Sequence, residues 1–163
     1  MLASIAIDIA APPELVFRLA RDVERWPSLL PHYLRVRVQA RHPDGALTAQ
    51  MVAIRRVVPA IGLGIPVAWR ARTWSDESTR SLRFRHLGGA TAGMGVTWRI
   101  EPTAAGCHVT IEHDFARAPV AWAALIDRLF VRPIAARTLA TFKAIAEAVV
   151  ERSDPSAPPK NQA

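Results

Sequence analysis

Along the final long stretch, from Pro119 to Arg152, apolar residues recur at helical spacing: Trp122, Leu125, Ile126 and Leu129 before Pro133, then Leu139, Phe142, Ala146 and Val149 after it. The pattern predicts one amphipathic helix in two segments. Proline has no amide hydrogen and its ring crowds the carbonyl four residues back, so a kink is expected near Val131–Pro133. A helix this apolar needs a partner, and the upstream chain supplies one. Ile5, Ile7 and Ile9 alternate with Ala6, Asp8 and Ala10 as a strand, and from Leu34 the period is again two, with Val36 and Val38 alternating with Arg35 and Arg37. Further strands are expected at Leu47–Ile54, Val67–Trp74, Leu82–Leu87, Met94–Glu101 and Cys107–Phe115, separated by turn-forming stretches at 42–45, 75–79, 88–93 and 104–106.

Two short helices interrupt this order after the first strand. Pro12–Pro13–Glu14 opens one, since proline is tolerated where first-turn amides are unpaired and Glu14 suits the positive end of the dipole. A second, compact piece follows from Asp22 to Tyr33, where Pro27 and Pro31 forbid a long helix. Ala60–Pro66 is apolar but broken by glycine and proline, and reads as a loop or interrupted strand able to cover a cavity mouth. The tail from residue 153 to 163 is polar and proline-rich and is expected to be disordered, leaving residues 1–152 as a single domain. The expected class is α+β: about seven antiparallel strands curved around the long C-terminal helix, with space between them for a ligand.

Composition narrows the function classes. No apolar run approaches the roughly 20 residues that a membrane span requires, so stable membrane insertion is not expected, and the start of the chain lacks the basic-then-apolar pattern of a secretion signal. The cytoplasm is the expected location. The single Cys107 excludes an internal disulfide and a cysteine-based metal cluster. Lysine plus arginine total 21 against 14 acidic residues, giving a net charge of +7, and only Lys143 and Lys160 are lysines. The arginines are scattered among the strands and form no basic tract, so a nucleic acid is not the expected partner. Nothing in the pattern specifies an oligomeric state.

Strand parity sorts the side chains. With the apolar positions facing the helix, the inward set is Trp69, Ala71 and Thr73; Leu82, Phe84 and His86; Met94, Val96, Trp98 and Ile100; and Val109, Ile111, His113 and Phe115. Arg70, Arg72, Arg83, Arg85 and Arg99 fall on the outer face and make a positive surface suited to an acidic partner such as an acyl carrier protein. Inward polar groups within an apolar, aromatic lining are the mark of a ligand pocket more than of a filled core. The expected pocket therefore takes Trp26, Trp69, Thr73, Phe84, Met94, Trp98 and Phe115, with Leu129 and Phe130 from the helix. His86, His113 and Tyr33 are the candidate acid and base: a neutral imidazole takes a proton from an activated methylene, and an imidazolium or the phenol protonates a departing oxygen. Gly-x-Ser-x-Gly, His-Glu-x-x-His and phosphate-cradling glycine loops are missing, and His108 and His113 point to opposite faces of one strand, so no metal site is expected.

Taken together, the run Ala11–Pro12–Pro13–Glu14–Leu15–Val16–Phe17, the following Asp22–Val23–Glu24–Arg25–Trp26–Pro27–Ser28–Leu29, and later Trp69, Gly93–Met94, Trp98, Gly106 and Asp114–Phe115 carry a resemblance over residues 3–150. The chain resembles the polyketide cyclase/dehydrase branch of the START-like, or helix-grip, superfamily, and within it the bacterial aromatase/cyclases of type II polyketide pathways. The resemblance implies a carrier-bound poly-β-ketone folding in the cavity, attack of an enolisable methylene on a carbonyl, and loss of water, with no cofactor. It implies pocket roles for Trp26, Tyr33, Trp69 and Trp98. Where those enzymes place a serine and an arginine, this chain has Ala71 and Thr73. That departure keeps a second function open, a non-catalytic carrier of a lipid or isoprenoid quinone.

Overall fold

The structure is a computed structural model describing residues 1–58, 63–116 and 118–153. Seven strands form one antiparallel sheet: β1 (Leu2–Ile9), β2 (Tyr33–Arg41), β3 (Leu47–Val58), β4 (Leu63–Asp76), β5 (Ser81–Gly88), β6 (Gly95–Thr103) and β7 (Gly106–Asp114). Their spatial order is β1-β7-β6-β5-β4-β3-β2. Between β1 and β2 lie α1 (Pro13–Arg21), a single 3₁₀ turn (Val23–Arg25) and α2 (Trp26–Leu29), which carry the chain from one edge of the sheet to the other. The curved sheet wraps a terminal helix made of α3 (Val120–Ile126), a π-helical turn (Asp127–Val131) and α4 (Arg132–Ser153). This is the helix-grip architecture expected from the pattern. Among the described residues, no helix is long and apolar enough to cross a membrane.

The alternation that predicts the strands also sets their inner face. Ala71, Leu82, Phe84, His86, Val96, Trp98, Ile100, Val109, Ile111 and His113 are all buried, and Phe142 and Leu139 of α4 pack into the same core. At its far end α4 is tied to the end of β1: Lys143 Nζ donates to the Asp8 carbonyl at 2.7 Å, and Ala10 N donates to Glu147 Oε1 at 2.8 Å. The β6–β7 turn packs against the same point. Gly106 has φ of 147°, and a β-carbon there would collide with the Ile9 carbonyl and the Ala11 amide, so no other residue fits without displacing the backbone.

Two expectations need correction. Of Ala60–Pro66, read as a loop or interrupted strand, the loop alternative falls: Leu63–Pro66 begin β4, with Ile65 opposite Arg55 and Pro66 opposite Ile54, while residues 60–62 of that stretch lie outside the described residues, as do 154–163 of the tail. The proline is accommodated because β4 pairs with β5 only from Arg70 onward, so Pro66 sits where that edge is free. Second, the helix is rotated relative to its hydrophobic stripe. Of the expected stripe, Ile126 before the proline and Leu139, Phe142 and Ala146 after it are buried, but Trp122, Leu125, Leu129 and Val149 are exposed, and Ala123, Asp127 and Val131 face inward in place of the first three.

Pro133 explains the rotation. It cannot donate to the Leu129 carbonyl, and that oxygen instead accepts Arg55 Nε from β3 at 2.7 Å. The preceding turn widens, with Arg132 N bonding the Asp127 carbonyl five residues back. An extra residue in one turn swings the following stripe by about 100° relative to the one before it. The kink predicted from proline thus takes the form of a π turn locked by an arginine.

Candidate functional site

Between sheet and helix lies a cavity of about 90 Å³. Its walls are Trp69, Phe84, His86, Met94, Val96, Trp98, Ile111 and His113 from the sheet, and Phe130, Val131, Ile134, Ala135 and Thr138 from the helix. Trp26, Tyr33, Met51, Val67 and Thr91 complete it, and among the described residues no charged side chain lines it. Nine residues expected here from the sequence are present: Tyr33, His86, His113, Trp26, Trp69, Phe84, Met94, Trp98 and Phe130.

Three others lie elsewhere. Thr73 faces a separate surface groove with Arg18, Leu47, Trp74 and Leu82, because the rings of Trp26, Phe84 and Trp98 close the cavity before the sheet reaches it. Phe115 follows the end of β7 and packs under α3 beside Met94 and Ile126. Leu129 points to solvent, because the π turn presents Phe130 and Val131 to the cavity in its place.

One wall is aromatic and anchored. Trp26, contributed by α2, is buried, and its Nε1 donates to the Ala20 carbonyl at 3.1 Å, which fixes the ring. Around it lie Tyr33 edge-on at 5.1 Å, Trp98 at 5.8 Å and Phe84 at 5.9 Å between ring centres, spacings at which aromatic pairs attract beyond their burial.

The histidines lie further along the same inner face of the sheet, His86 two residues beyond Phe84 on β5 and His113 two beyond Ile111 on β7. His86 stacks parallel to Trp69 at 5.9 Å, and its Nδ1 shares a hydrogen bond of 2.7 Å with Thr91 Oγ1. Burial, with His113 nearby, pushes His86 down to about 3. Burial likewise lowers His113 to about 4, although Asp127 opposes the shift; Arg132 adds to it. Both imidazoles are therefore neutral near pH 7, which removes a resting imidazolium as the acid. Burial also pushes the Tyr33 phenol above its usual range. What remains is a pair of neutral rings: His86 has Nδ1 committed to Thr91 and only Nε2 left to give or receive a proton, and the neutral His113 ring carries one N–H and one lone pair.

Three polar residues near the site carry no sequence signal strong enough to single them out. His32 is fully buried, and its Nε2 lies 2.9 Å from Thr138 Oγ1. The Thr138 hydroxyl donates to the Ile134 carbonyl at 2.9 Å, so it accepts from His32, which fixes the Nε2–H tautomer and leaves Nδ1 as a buried lone pair without a partner. Burial, with Arg137 beside it, lowers His32 to about 4. Tyr33 interacts with the same Thr138 side chain. Asp127, in the π turn, is 7% exposed and ion-paired to Arg132 Nε at 3.3 Å. Thr138 had the clearest trace in the sequence: it interrupts the stripe Ala135–Thr138–Phe142 with a hydroxyl. Among the described residues, no three histidine, cysteine or carboxylate side chains converge as a metal site would require.

A sheet gripping a long helix over an apolar cavity is the START-like ligand-binding fold. The chain belongs to the family described as polyketide cyclase / dehydrase and lipid transport, which matches residues 3–147. A Streptomyces cyaneus protein described as "Putative polyketide cyclase" is 30% identical over 114 residues, 69% of this chain and 71% of that protein. The granaticin polyketide synthase bifunctional cyclase/dehydratase of Streptomyces violaceoruber is 31% identical over 147 residues, 86% of this chain but 42% of that protein, so the chain spans less than half of that relative. The Zhui aromatase/cyclase from Streptomyces sp. R1128 shares the fold with a TM-score of 0.75 at 19% identity, over 92% of this chain and 95% of that one.

Proposed function

We propose that residues 1–152 form one cytoplasmic ligand-binding unit that takes up a hydrophobic carbonyl compound and promotes its cyclisation and dehydration. The observation that carries this reading is the pair of neutral, buried imidazoles, His86 and His113, facing an apolar cavity that no charged side chain lines among the described residues. One ring's lone pair receives a proton from a methylene between two carbonyls, and the resulting enolate attacks a second carbonyl. A neutral N–H donates a hydrogen bond to the oxygen where charge develops, as an oxyanion donor does. The alkoxide is then protonated and leaves as water, giving a double bond and, after enolisation, an aromatic ring. Protons and oxygen balance within the substrate and one released water, with no oxidant consumed. The substrate class is a poly-β-ketone or related carbonyl, and family membership and the similarity to cyclases support it. If a carrier protein presents that substrate, the outer-face arginines not committed to carboxylates offer the acidic partner a surface. Arg72 and Arg99 are paired with Asp44 and Glu112, each at 2.5 Å, leaving Arg70, Arg83 and Arg85.

A second reading is a carrier of a lipid or isoprenoid quinone. It is favoured by Ala71 and Thr73, which stand where the family's serine and arginine would be, and among the described residues no cation lines the cavity to polarise a bound carbonyl. Native mass spectrometry of gently purified protein, then solvent extraction, separates the two. A retained quinone or lipid released unchanged supports the carrier. An empty protein that turns a thioester-linked poly-β-ketone into an aromatic chromophore supports the cyclase, and unchanged turnover in a His86→Phe/His113→Phe variant would remove both rings from the mechanism.

A further inference from the structure

Six large apolar side chains stand exposed near one end of the cavity. Val120, Trp122, Leu125 and Leu129 lie on the first part of the terminal helix, and Leu63 and Ile65 at the start of β4; all are between 45% and 69% exposed. Single exposed leucines are ordinary, but these two sets meet. Arg55, paired with Ile65 across the β3–β4 ladder, is the residue bonded to the Leu129 carbonyl. Immediately inside them, Val67 of β4 and Phe130 of the π turn line the cavity. The apolar surface thus continues into the pocket.

The same rim is cationic. Arg55, Arg56, Arg128 and Arg137 lie on it, and among the described residues none of the four has a carboxylate partner. The segments 53–58, 63–70 and 120–137 contain one acid, Asp127, which is buried and held by Arg132. Arg56 sits close enough to Arg137 to repel its charge. Like charges held together without a counter-charge lower stability unless an anion sits against them.

We propose that this rim is a docking surface for an anionic lipid bilayer, placing the cavity mouth against the membrane. Trp122, Leu125 and Leu129 recur as one helical face, the arrangement of a helix lying in the interface, and Leu63 and Ile65 form a second ridge on an adjacent strand. Arginines between the ridges meet lipid phosphates, whose field attracts each cation at the surface. A soluble acidic partner would be matched by the arginines alone; the two apolar ridges beside a mouth that admits apolar ligands are matched by acyl chains. The surface is independent of whether the cavity is catalytic.

The test is co-sedimentation of the full chain with vesicles of phosphatidylcholine alone and of phosphatidylcholine with phosphatidylglycerol, at low and high salt. Binding is expected only to the anionic vesicles and to fall with salt. Each arginine near an anionic surface changes partitioning about fivefold, so Arg56→Gln/Arg128→Gln should weaken binding roughly 25-fold. Leu125→Gln/Leu129→Gln should weaken it by a similar factor or more. All four positions are exposed or half-exposed, so both variants should keep the parent's circular dichroism and thermal midpoint. No binding to anionic vesicles, or binding unchanged in both variants, overturns the proposal. So does a dimer in light scattering that the leucine variant abolishes, since the ridges would then cover a second copy. Turnover plays no part in this assay, so its failure is distinct from failure of the cyclase reading.

Discussion

Lowering the pH tests the buried histidines directly. In the folded chain His32, His86 and His113 titrate near 4, 3 and 4, against an ordinary value of 6.5, and in each case burial is the main cause. Once unfolded, each takes up a proton below about pH 6.5, whereas the folded chain keeps them neutral to about pH 4. The unfolded state therefore binds more protons in that window, so stability is fully present above about pH 6.5 and is lost as pH falls. Each such histidine contributes a slope of about 1.4 kcal/mol per pH unit, and three give about 4 kcal/mol per unit between roughly pH 6 and pH 4. Followed from pH 6.5 down to the folded values, the three histidines together withdraw roughly 12 kcal/mol, so most or all of the roughly 5–15 kcal/mol of an ordinary domain would be lost by about pH 3–4. The carboxylates held low by hydrogen bonds, Asp44, Asp76 and Glu147, act in the same direction but only in the lower, carboxylate range. Urea denaturation from pH 7.5 to 4.5 reads the slope. His86→Phe/His113→Phe should cut it to about 1.4 kcal/mol per unit, the share of His32. An unfolding free energy that stays flat between pH 6.5 and 5 would refute the neutral, desolvated state on which the site chemistry rests.

Two further perturbations probe contacts that the sequence did not announce. Thr138→Val keeps the shape but strands the His32 Nε2–H, and should cost about 1–3 kcal/mol by thermal denaturation; adding His32→Leu should recover part of that loss, and strictly additive costs would sink the pairing. Arg55→Met leaves the Leu129 carbonyl at the π turn to water and should cost about 0.5–1.5 kcal/mol, with faster amide exchange confined to 127–133; a uniform change along α4 would mean that the arginine does not lock the turn.

The inner face of the sheet was readable because antiparallel pairing is strict. Once Trp98 and Ile111 lie inside, opposite one another, the period of two places Val96, Ile100, Val109 and His113 with them. Depth along each strand was not readable, since it depends on sheet curvature and on which rings close the pocket; hence Thr73 and Phe115 share the inner face yet miss the cavity. The helix misled for a different reason. Trp122–Leu125–Leu129 and Ala123–Ile126–Phe130 both satisfy helical spacing, so the sequence admitted Ile126 and Phe130 alongside Trp122, Leu125 and Leu129 and could not choose between the two faces. The choice between them falls to a tertiary event, an arginine on β3 taking the carbonyl that Pro133 leaves open. The His32–Thr138 pair was hidden similarly, its members lying 106 residues apart.

These features bear on how the cavity admits a ligand. At about 90 Å³ it is well below the roughly 300 Å³ at which ligand pockets begin, so an occupant of any size must move side chains that now fill the space. Trp26 is a poor candidate to move: its indole is hydrogen-bonded and its ring is packed among Tyr33, Trp98, Phe84 and Phe142. Trp69 and Phe130 are better placed, being only partly buried, one stacked on His86 and the other in the widened turn. Displacing Trp69 would unstack His86 and raise its contact with the incoming group. Opening the pocket and presenting the imidazole to a carbonyl would then be the same motion. The cyclase reading requires the incoming group to engage the unstacked His86, whereas the carrier reading requires only that Trp69 yield, so a ligand that displaces Trp69 while leaving His86 without a new partner would count against the cyclase.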